Sequence, residues 1–230
     1  MVVSSLINTF NLTNFMSKFI SLKEAASKVK DGMTIMVGGF LANGTPESII
    51  DALVESGVKD LTLICNDTAY PEKGVGKLLV NGQLKKLIVS YIGTTPQASE
   101  MMNSGEIEVE FVPQGTLAER VRIGGCGIGG FLTPTGLGTV VAEGKQTVNI
   151  DGKDYLLEKP LHADVALLGA TVADKDGNLR YKGTSRNFNP LMAGAADVVI
   201  VEPQQIVEVG EINPDDVHTP GILVDFLVEK

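Results

Sequence analysis

Cysteine is scarce in this chain, which has two cysteines and no tryptophan among its 230 residues. Two thiols are too few for a disulfide scaffold or for a structural zinc site built on cysteine. The histidines, His162 and His218, lie far apart in the sequence and have no neighbour at metal-ligand spacing. We therefore predict no metal site, and we expect the protein in a reducing compartment, the cytoplasm.

Clustered positive charge is also missing. The chain has 19 Lys and Arg against 28 Asp and Glu, which gives a net charge of −9 without any basic run. Nucleic-acid binding needs clustered cations that displace counterions from phosphates, so the composition excludes nucleic acid as a partner. No apolar run reaches the roughly 18 residues of a membrane span, which argues against a membrane partner.

The first fifteen residues contain neither Lys nor Arg. Secretory and mitochondrial leader sequences need positive charge, so neither class fits this segment. We expect residues 1–18 to be a disordered extension and residues 19–230 to form a single domain.

Strand and helix patterns alternate through the first half of the chain. Ser21 and Glu24 are spaced as in a capping box, ahead of an apolar stripe with helical period. Short apolar runs that predict strands follow at 33–37, 61–65, 87–92 and 107–112, with helical segments between them. This alternation predicts an α/β fold whose sheet is mostly parallel and flanked by helices. After residue 124 the pattern changes, and Asp151-Gly152 predicts a β-hairpin excursion.

Glycine is the abundant residue, with 26 in the chain. Residues 38–45 form a glycine-rich connection between a predicted strand and a predicted helix, with Thr45 as the expected N-cap and Pro46 at the first helical position. Loop N–H groups and the helix dipole would together favour an anion, and the glycines would let a ligand approach the backbone closely. A tight connection without any ligand is the alternative interpretation.

Several residues are of types that occur in functional sites, but their neighbours in the sequence do not fit such a site. Residues 125–130 match G-x-G-x-x-G, but the segment follows a predicted helix rather than a strand, so we predict no nicotinamide or flavin cofactor. Cys65 ends an apolar strand and is expected to be buried and inert, whereas Cys126 lies in a loop and is expected to be more exposed. Arg120 and Arg122 could meet an anion, but solvation of a helix face is the favoured interpretation.

The sixteen residues from Asp31 to Pro46 resemble, without a gap, the first signature of the family I coenzyme A transferases. That signature has Asp or Asn, Gly, two free positions, three apolar residues, Gly-Gly-Phe, three free positions and Gly-x-Pro. Further blocks similar to the family are Asn66-Asp67-Thr68, Ser90-Tyr91-Ile92-Gly93, the run from Pro113 to Arg120, Thr133-Pro134-Thr135-Gly136, Asn187-Phe188-Asn189-Pro190 and Thr219-Pro220-Gly221. The likeness spans about residues 19–229 and is strongest to α subunits.

The resemblance implies a fold shared with ribose-5-phosphate isomerase. It also implies an enzyme that moves CoA between a short-chain acyl-CoA or 3-oxoacyl-CoA and a carboxylate such as acetate, butyrate or acetoacetate. CoA is then a substrate, and no cofactor is required. The family's nucleophile is a glutamate in a Ser-Glu-Asn-Gly motif on the β subunit, and this chain contains no such motif. We therefore expect a β partner, in an α2β2 heterotetramer.

The resemblance further assigns candidate site residues. Gln114 would contact the acyl group or the oxyanion across the subunit interface, although a glutamine in this position could also serve only as a turn residue. Asn66 and the glycine-rich segment would associate with CoA or substrate; the residues of that segment are Gly38, Gly39, Phe40, Leu41, Ala42, Asn43 and Gly44.

Two other interpretations stay open at this point. One is an isomerase or deaminase of the same fold, although the sequence shows no motif for the acid–base groups that such enzymes need. The other is a non-catalytic ligand-sensing or assembly module, against which the lack of a DNA-binding segment argues.

Overall fold

A nine-stranded sheet forms the centre of the molecule in the computed structural model, which describes residues 18–229. The strands in chain order are β1 (Phe19–Ile20), β2 (Thr34–Val37), β3 (Leu61–Asp67), β4 (Leu84–Tyr91), β5 (Glu108–Phe111), β6 (Phe131–Thr133), β7 (Thr147–Ile150), β8 (Lys153–Glu158), β9 (Ala163–Asp174), β10 (Leu179–Arg180), β11 (Ala196–Val207) and β12 (Phe226–Val228). The helices are α1 (Leu22–Ser27), α2 (Glu47–Ser56), α3 (Gly76–Val80), α4 (Pro96–Ser104), α5 (Gln114–Gly124) and α6 (Asn189–Met192).

The central sheet has the order β1-β12-β11-β9-β2-β3-β4-β5, and β10 pairs with the end of β9. All neighbours along this order are parallel, and only β10 is antiparallel to its partner. The predicted α/β fold with a mostly parallel sheet is confirmed. The capping box is present as predicted, because Ser21 Oγ accepts from Glu24 N at 3.2 Å and Glu24 Oε2 accepts from Ser21 N at 2.8 Å.

Both faces of the central sheet are covered by apolar side chains. Successive strand residues point to opposite faces, so Leu63 belongs to one core cluster while Ile64 belongs to the other. The first cluster includes side chains of α1 to α4, and the second includes Leu117 and Val121 of α5 and Met192 of α6. Burial on both faces explains why the strands appear in the sequence as continuous apolar runs.

A separate three-stranded antiparallel sheet contains β6, β8 and β7, in that order. The hairpin between β7 and β8 turns at Asp151 and Gly152, whose φ angles of 51° and 82° are both in the left-handed region. Two consecutive left-handed residues are typical of a type I′ turn, so the predicted hairpin is confirmed. The third strand, β6, was not part of that prediction.

The first described residue, Lys18, belongs to the folded structure. Its Nζ donates to the carbonyl oxygens of Gly221 at 2.6 Å and Val224 at 2.7 Å, next to β12. Lys18 therefore does not belong to the extension predicted for residues 1–18. The other seventeen residues of that prediction, 1–17, lie outside the described residues.

Candidate functional site

The residues assigned to the site gather at the edge of the central sheet where β2, β3, β4 and β5 end, which we call the carboxyl edge. The glycine-rich segment follows β2, Asn66 lies at the end of β3, and Gln114 follows β5. Parallel strands end at the same edge of a sheet, and ligand sites of α/β proteins form there.

The glycine-rich segment contains a tight two-residue turn. Phe40 N donates to Asn43 O at 3.0 Å, and Asn43 N donates back to Phe40 O at 2.9 Å. The residues between them, Leu41 and Ala42, have φ angles of 49° and 67°. Left-handed conformations of residues other than glycine cost roughly 1–3 kcal/mol each, so neighbouring contacts must hold this turn in place.

Asp67 holds one side of that turn. Its buried carboxylate accepts from Leu41 N at 3.0 Å, from Asn66 Nδ2 at 2.6 Å and from Ala69 N at 2.7 Å. The strand β3 ends two residues beyond the predicted end at residue 65, and these two additional residues are Asn66 and Asp67. Through Asp67 the structure brings Asn66 and the glycine-rich segment together.

The glycines of this segment make room for the chain itself. A Cβ atom on Gly38 would lie 1.6 Å from Asn189 Oδ1, and one on Gly39 would lie 2.0 Å from Thr45 Oγ1. Gly39 also has a φ of 135°, which disfavours any side chain. Internal packing therefore requires glycine at both positions, whatever role they have toward a ligand.

The N-terminus of α2 differs from its prediction. Thr45 is not the N-cap, because its hydroxyl donates back to Gly38 O at 3.0 Å, and Pro46 takes the capping position. The first helical N–H groups are bound instead by the carboxylate of Glu202 on β11, which accepts from Ser48 N at 2.8 Å and from Ile49 N at 3.1 Å. A negative charge already occupies the positive end of this helix, which favours the tight connection without an anion over an anion site at α2.

The N-terminus of α5 has the opposite character. Its first turn contains no acidic residue, and no side chain caps it. Gln114 is its first residue; the side chain is exposed and its amide has no hydrogen-bond partner among residues 18–229. A Cβ on Gly115 would meet nothing within 4 Å. An unpaired amide beside a free helix N-terminus can stabilise a developing negative charge.

Gln114 and the glycine-rich segment lie apart on the carboxyl edge. Three strand spacings separate β2 from β5, which corresponds to about 14 Å. Four exposed aromatic residues lie near the carboxyl ends of β2, β3, β4 and β5, one for each strand. We call them the aromatic row: Phe40, Tyr70, Tyr91 and Phe111. Exposed aromatic side chains are enriched where a protein binds a ligand or a partner.

Arg120 is buried, which contradicts the expectation that it solvates a helix face. Its Nη1 lies 2.8 Å from Glu110 Oε1, and its Nε donates to Lys159 O at 2.9 Å and lies 3.8 Å from Glu158 Oε2. Burial alone would raise the pKa of Glu110, but the hydrogen bond and charge of Arg120, helped by Lys86 and Lys145, lower that pKa below its usual value.

Arg122 behaves as expected for a solvated residue of the same helix. It is half-buried, with 41% of its side chain exposed, and pairs with Glu119 across a 2.7 Å contact between Nη2 and Oε1. The cysteine predictions are confirmed too, since Cys65 is buried and Cys126 exposed. Burial, and then the charge of Asp67, raise the pKa of the Cys65 thiol and so suppress its reactive thiolate.

The G-x-G-x-x-G segment lies between α5 and β6, so it does not have the strand–turn–helix context of a dinucleotide site. Among residues 18–229, no group of three or more His, Cys, Asp or Glu side chains is arranged to hold a metal ion. Within the same part of the chain, no helix has the length and apolar character needed to cross a membrane.

Sequence reasoning missed the polar residues that hold the site. Asn187 Oδ1 accepts from Gly39 N at 3.2 Å, and Asn187 Nδ2 donates to Asn43 O at 3.1 Å. These contacts join the glycine-rich segment to the Asn-Phe-Asn-Pro block, which had been noted only as a resemblance. Glu202 could have been found as a carboxylate directly after the apolar run 198–201, at the end where site residues gather.

Comparisons with known proteins identify the family of this chain. The sequence profile of the family described as Coenzyme A transferase matches residues 19–230. The chain is 56% identical over 212 residues to an acetate CoA-transferase subunit alpha from Escherichia coli K12, covering 92% of this chain and 96% of the relative. It is 51% identical over 214 residues to an acetoacetyl-CoA:acetate/butyrate CoA transferase alpha subunit from Clostridium acetobutylicum, covering 93% and 98% of the two chains.

Among solved structures, the chain is similar to an acyl-CoA transferase from Escherichia coli O157:H7 in its thioester complex with CoA. The TM-score is 0.83 at 23% identity, which establishes a shared fold. The match covers 92% of this chain but only 47% of that one, so this chain spans about half the length of the solved enzyme.

Proposed function

Since the chain belongs to the coenzyme A transferase family, we propose that it is the α subunit of an enzyme that transfers CoA from a short-chain acyl-CoA or 3-oxoacyl-CoA to a free carboxylate. Acetate, butyrate and acetoacetate are the proposed carboxylates. The observation that carries this proposal is the 56% identity to an acetate CoA-transferase subunit alpha across 96% of its length. The enzyme acts in the cytoplasm and needs no cofactor, because CoA is its substrate.

The proposed partner is a β subunit that carries the nucleophilic glutamate, in an α2β2 assembly. The glutamate attacks the thioester carbonyl and expels CoA thiolate, which leaves an acyl-glutamyl anhydride. The thiolate then attacks the glutamyl carbonyl, releases the first carboxylate and forms a glutamyl-CoA thioester. A second carboxylate reverses both steps. The relatives named as alpha subunits and the absence of Ser-Glu-Asn-Gly from this sequence support a partner.

Gln114 is the proposed electrophilic residue of this chain. Attack on a thioester carbonyl places negative charge on its oxygen, which the Gln114 amide and the free N–H groups of the first turn of α5 would stabilise. One such preorganised donor contributes about 3–4 kcal/mol to the transition state. The partner subunit would cover the aromatic row and exclude water from this charge.

The glycine-rich segment and Asn66 are proposed to line the path of the substrate. The carboxylates of Asp67 and Glu202 lie beside this segment and bind its N–H groups or those of α2. Their negative charge disfavours the phosphates of CoA at this place. The segment therefore suits the uncharged part of CoA that leads to the thioester.

The test is steady-state transfer of CoA from acetoacetyl-CoA to acetate, with the chain alone and with its β subunit. We expect no turnover without the partner. In the complex, Gln114→Ala should lower kcat by about 10²–10³ with a smaller change in KM, because the lost donor acts mainly in the transition state.

Gln97→Ala is a matched control, since Gln97 is also an exposed glutamine in the first turn of a helix, α4. It should leave both constants unchanged. Gln114→Glu should be at least as damaging as alanine, because a carboxylate would repel the oxyanion. Turnover by the purified chain alone would contradict the need for a partner. Near-native kcat of Gln114→Glu in a normally assembled complex would contradict the role of Gln114.

A further inference from the structure

The Gln114 side chain is exposed and has no hydrogen-bond partner within residues 18–229, so the position of α5 sets the region that its amide can reach. Oxyanion donors act at distances of about 2.7–3.1 Å, and a misplacement of roughly 1 Å can cost 10²-fold in rate. The contacts that fix α5 therefore bear directly on the proposed chemistry.

Arg120 makes buried polar contacts that join α5 to other elements. Glu110 lies on β5 and Arg120 lies on α5, so their 2.8 Å ion pair closes the strand–turn–helix unit whose turn leads into Gln114. The backbone of the same residue is also held, because Leu161 N donates to Arg120 O at 2.9 Å. The pair thus constrains the angle between β5 and α5.

A second carboxylate completes the arrangement. Glu158, at the end of β8, is 2% exposed in its side chain and lies between Arg120 and Lys145, whose Nζ is 2.6 Å from Glu158 Oε1. Two cations thus neutralise the two carboxylates, with Lys86 also 3.6 Å from Glu110. A buried cluster of ion pairs adds little stability compared with apolar packing. The planar guanidinium of Arg120, however, binds its partners only in defined orientations, so it restricts how α5 can rotate against its neighbours more than apolar contacts would.

We propose that Arg120 is a positioning residue for Gln114: its guanidinium sets α5 against β5 and the end of β8, and so places the Gln114 amide at the reacting carbonyl. This inference rests on the role proposed above for Gln114. Arg120 itself contacts neither substrate nor reacting atoms.

The test compares Arg120→Lys with Arg122→Lys in the assembled complex. Both residues lie on α5 and pair with a glutamate. The Arg122 side chain is 41% exposed against 10% for Arg120, and its partner, Glu119, belongs to the same helix. Arg120→Lys keeps the charge and loses the planar fork, so we expect kcat to fall about 10-fold or more with KM within about twofold. Arg122→Lys should leave both constants unchanged.

A double variant separates positioning from a general structural role. In a Gln114→Ala background, Arg120→Lys should cause little further loss of kcat, because the amide that it positions is gone. If the lysine variant fails to assemble, a triple variant replaces it, in which Arg120→Met is combined with Glu110→Gln and Glu158→Gln. It removes the guanidinium together with both of its carboxylate partners and leaves only the partly exposed Lys145 without its carboxylate. The same loss of kcat with little change in KM is expected.

Native kcat in Arg120→Lys would overturn the inference, as would an equal fold-loss in the presence and absence of Gln114. If Gln114→Ala itself keeps native kcat, the oxyanion role fails and this inference falls with it. If Gln114→Ala loses kcat but Arg120→Lys keeps native kcat, the positioning role of Arg120 is refuted and the oxyanion role of Gln114 stands.

Discussion

The two sheets of this molecule are stabilised in different ways. The central sheet is buried on both faces between two apolar clusters. In the three-stranded sheet, by contrast, Leu156 is the only fully buried apolar side chain of β6 to β8, and the other buried side chain is the charged Glu158. Apolar packing is strong and not directional, whereas ion pairs are weaker in net stability and highly directional. The central sheet therefore supplies the stability, and the polar contacts of the small sheet supply orientation beside α5.

The largest expected effect comes from opening a cavity in the central sheet. Leu63 on β3 is fully buried, so Leu63→Ala should lower the free energy of unfolding by about 2–5 kcal/mol. Urea denaturation of the isolated chain measures this change. Thr62→Ala, on the half-buried neighbouring position, is the control and should cost less. A loss below about 1 kcal/mol for Leu63→Ala would mean that apolar packing does not dominate here.

An intermediate effect is expected on acidification, and it should begin at the ion pair between β5 and α5, beside the small sheet. The folded-state pKa of Glu110 is lowered from its usual 4.5, so its ion pair stabilises the fold above that value and is lost as the pH falls through the lowered pKa. Hydrogen-exchange protection of α5 amides should therefore decrease as the pH falls below 4.5, before that of β3 amides. In Glu110→Gln this early decrease should vanish. Simultaneous loss of protection in α5 and β3 would contradict the comparison.

The smallest effect is expected at the exposed surface of the small-sheet region. Val140, between β6 and β7, is 76% exposed and belongs to neither core cluster. Val140→Ser should therefore change the stability of the isolated chain by no more than about 0.5 kcal/mol. Thermal unfolding measures this difference, and a clear destabilisation would reveal apolar packing that the small sheet is not expected to have.

Much of the fold could be predicted from local patterns. The strands that are buried on both faces show as apolar runs, and Asp151-Gly152 encodes its own turn. The two longest strands, β9 and β11, show in the sequence only as the apolar runs 165–168 and 198–201 but have twelve residues each. Polar residues interrupt the apolar pattern of β11 at Glu202, and Pro203 would normally argue against a strand. Pro203 is tolerated because β12 pairs only with residues 200 and 201, which leaves one side of β11 free beyond them.

The position of the site was predictable, but its supporting contacts were not. Gln114 and the glycine-rich segment follow parallel strands, so topology alone places them at one edge. Glu202 binds Ser48 across 154 residues of sequence, and Asp67 binds Leu41 across 26. The Glu202 contact takes the place of the helix cap that Thr45 was expected to form. Neither contact can be predicted from a local sequence pattern, because the two partners are far apart in the sequence. The single-domain assignment and the roles of Gln114, Asn66 and the glycine-rich segment stay predictions.

The pairing of β1 with β12 has a consequence for the order of events during synthesis. Phe19 lies beside Leu227, and Lys18 donates to a carbonyl 203 residues further along the chain. Strands β2 to β5 are neighbours in both sequence and space, so they can associate while the chain is still emerging from the ribosome. The first strand, although it is made earliest, has to wait for the last one. Closing such a long loop slows folding, and this edge of the sheet is therefore completed only when translation of residues 226–228 has finished.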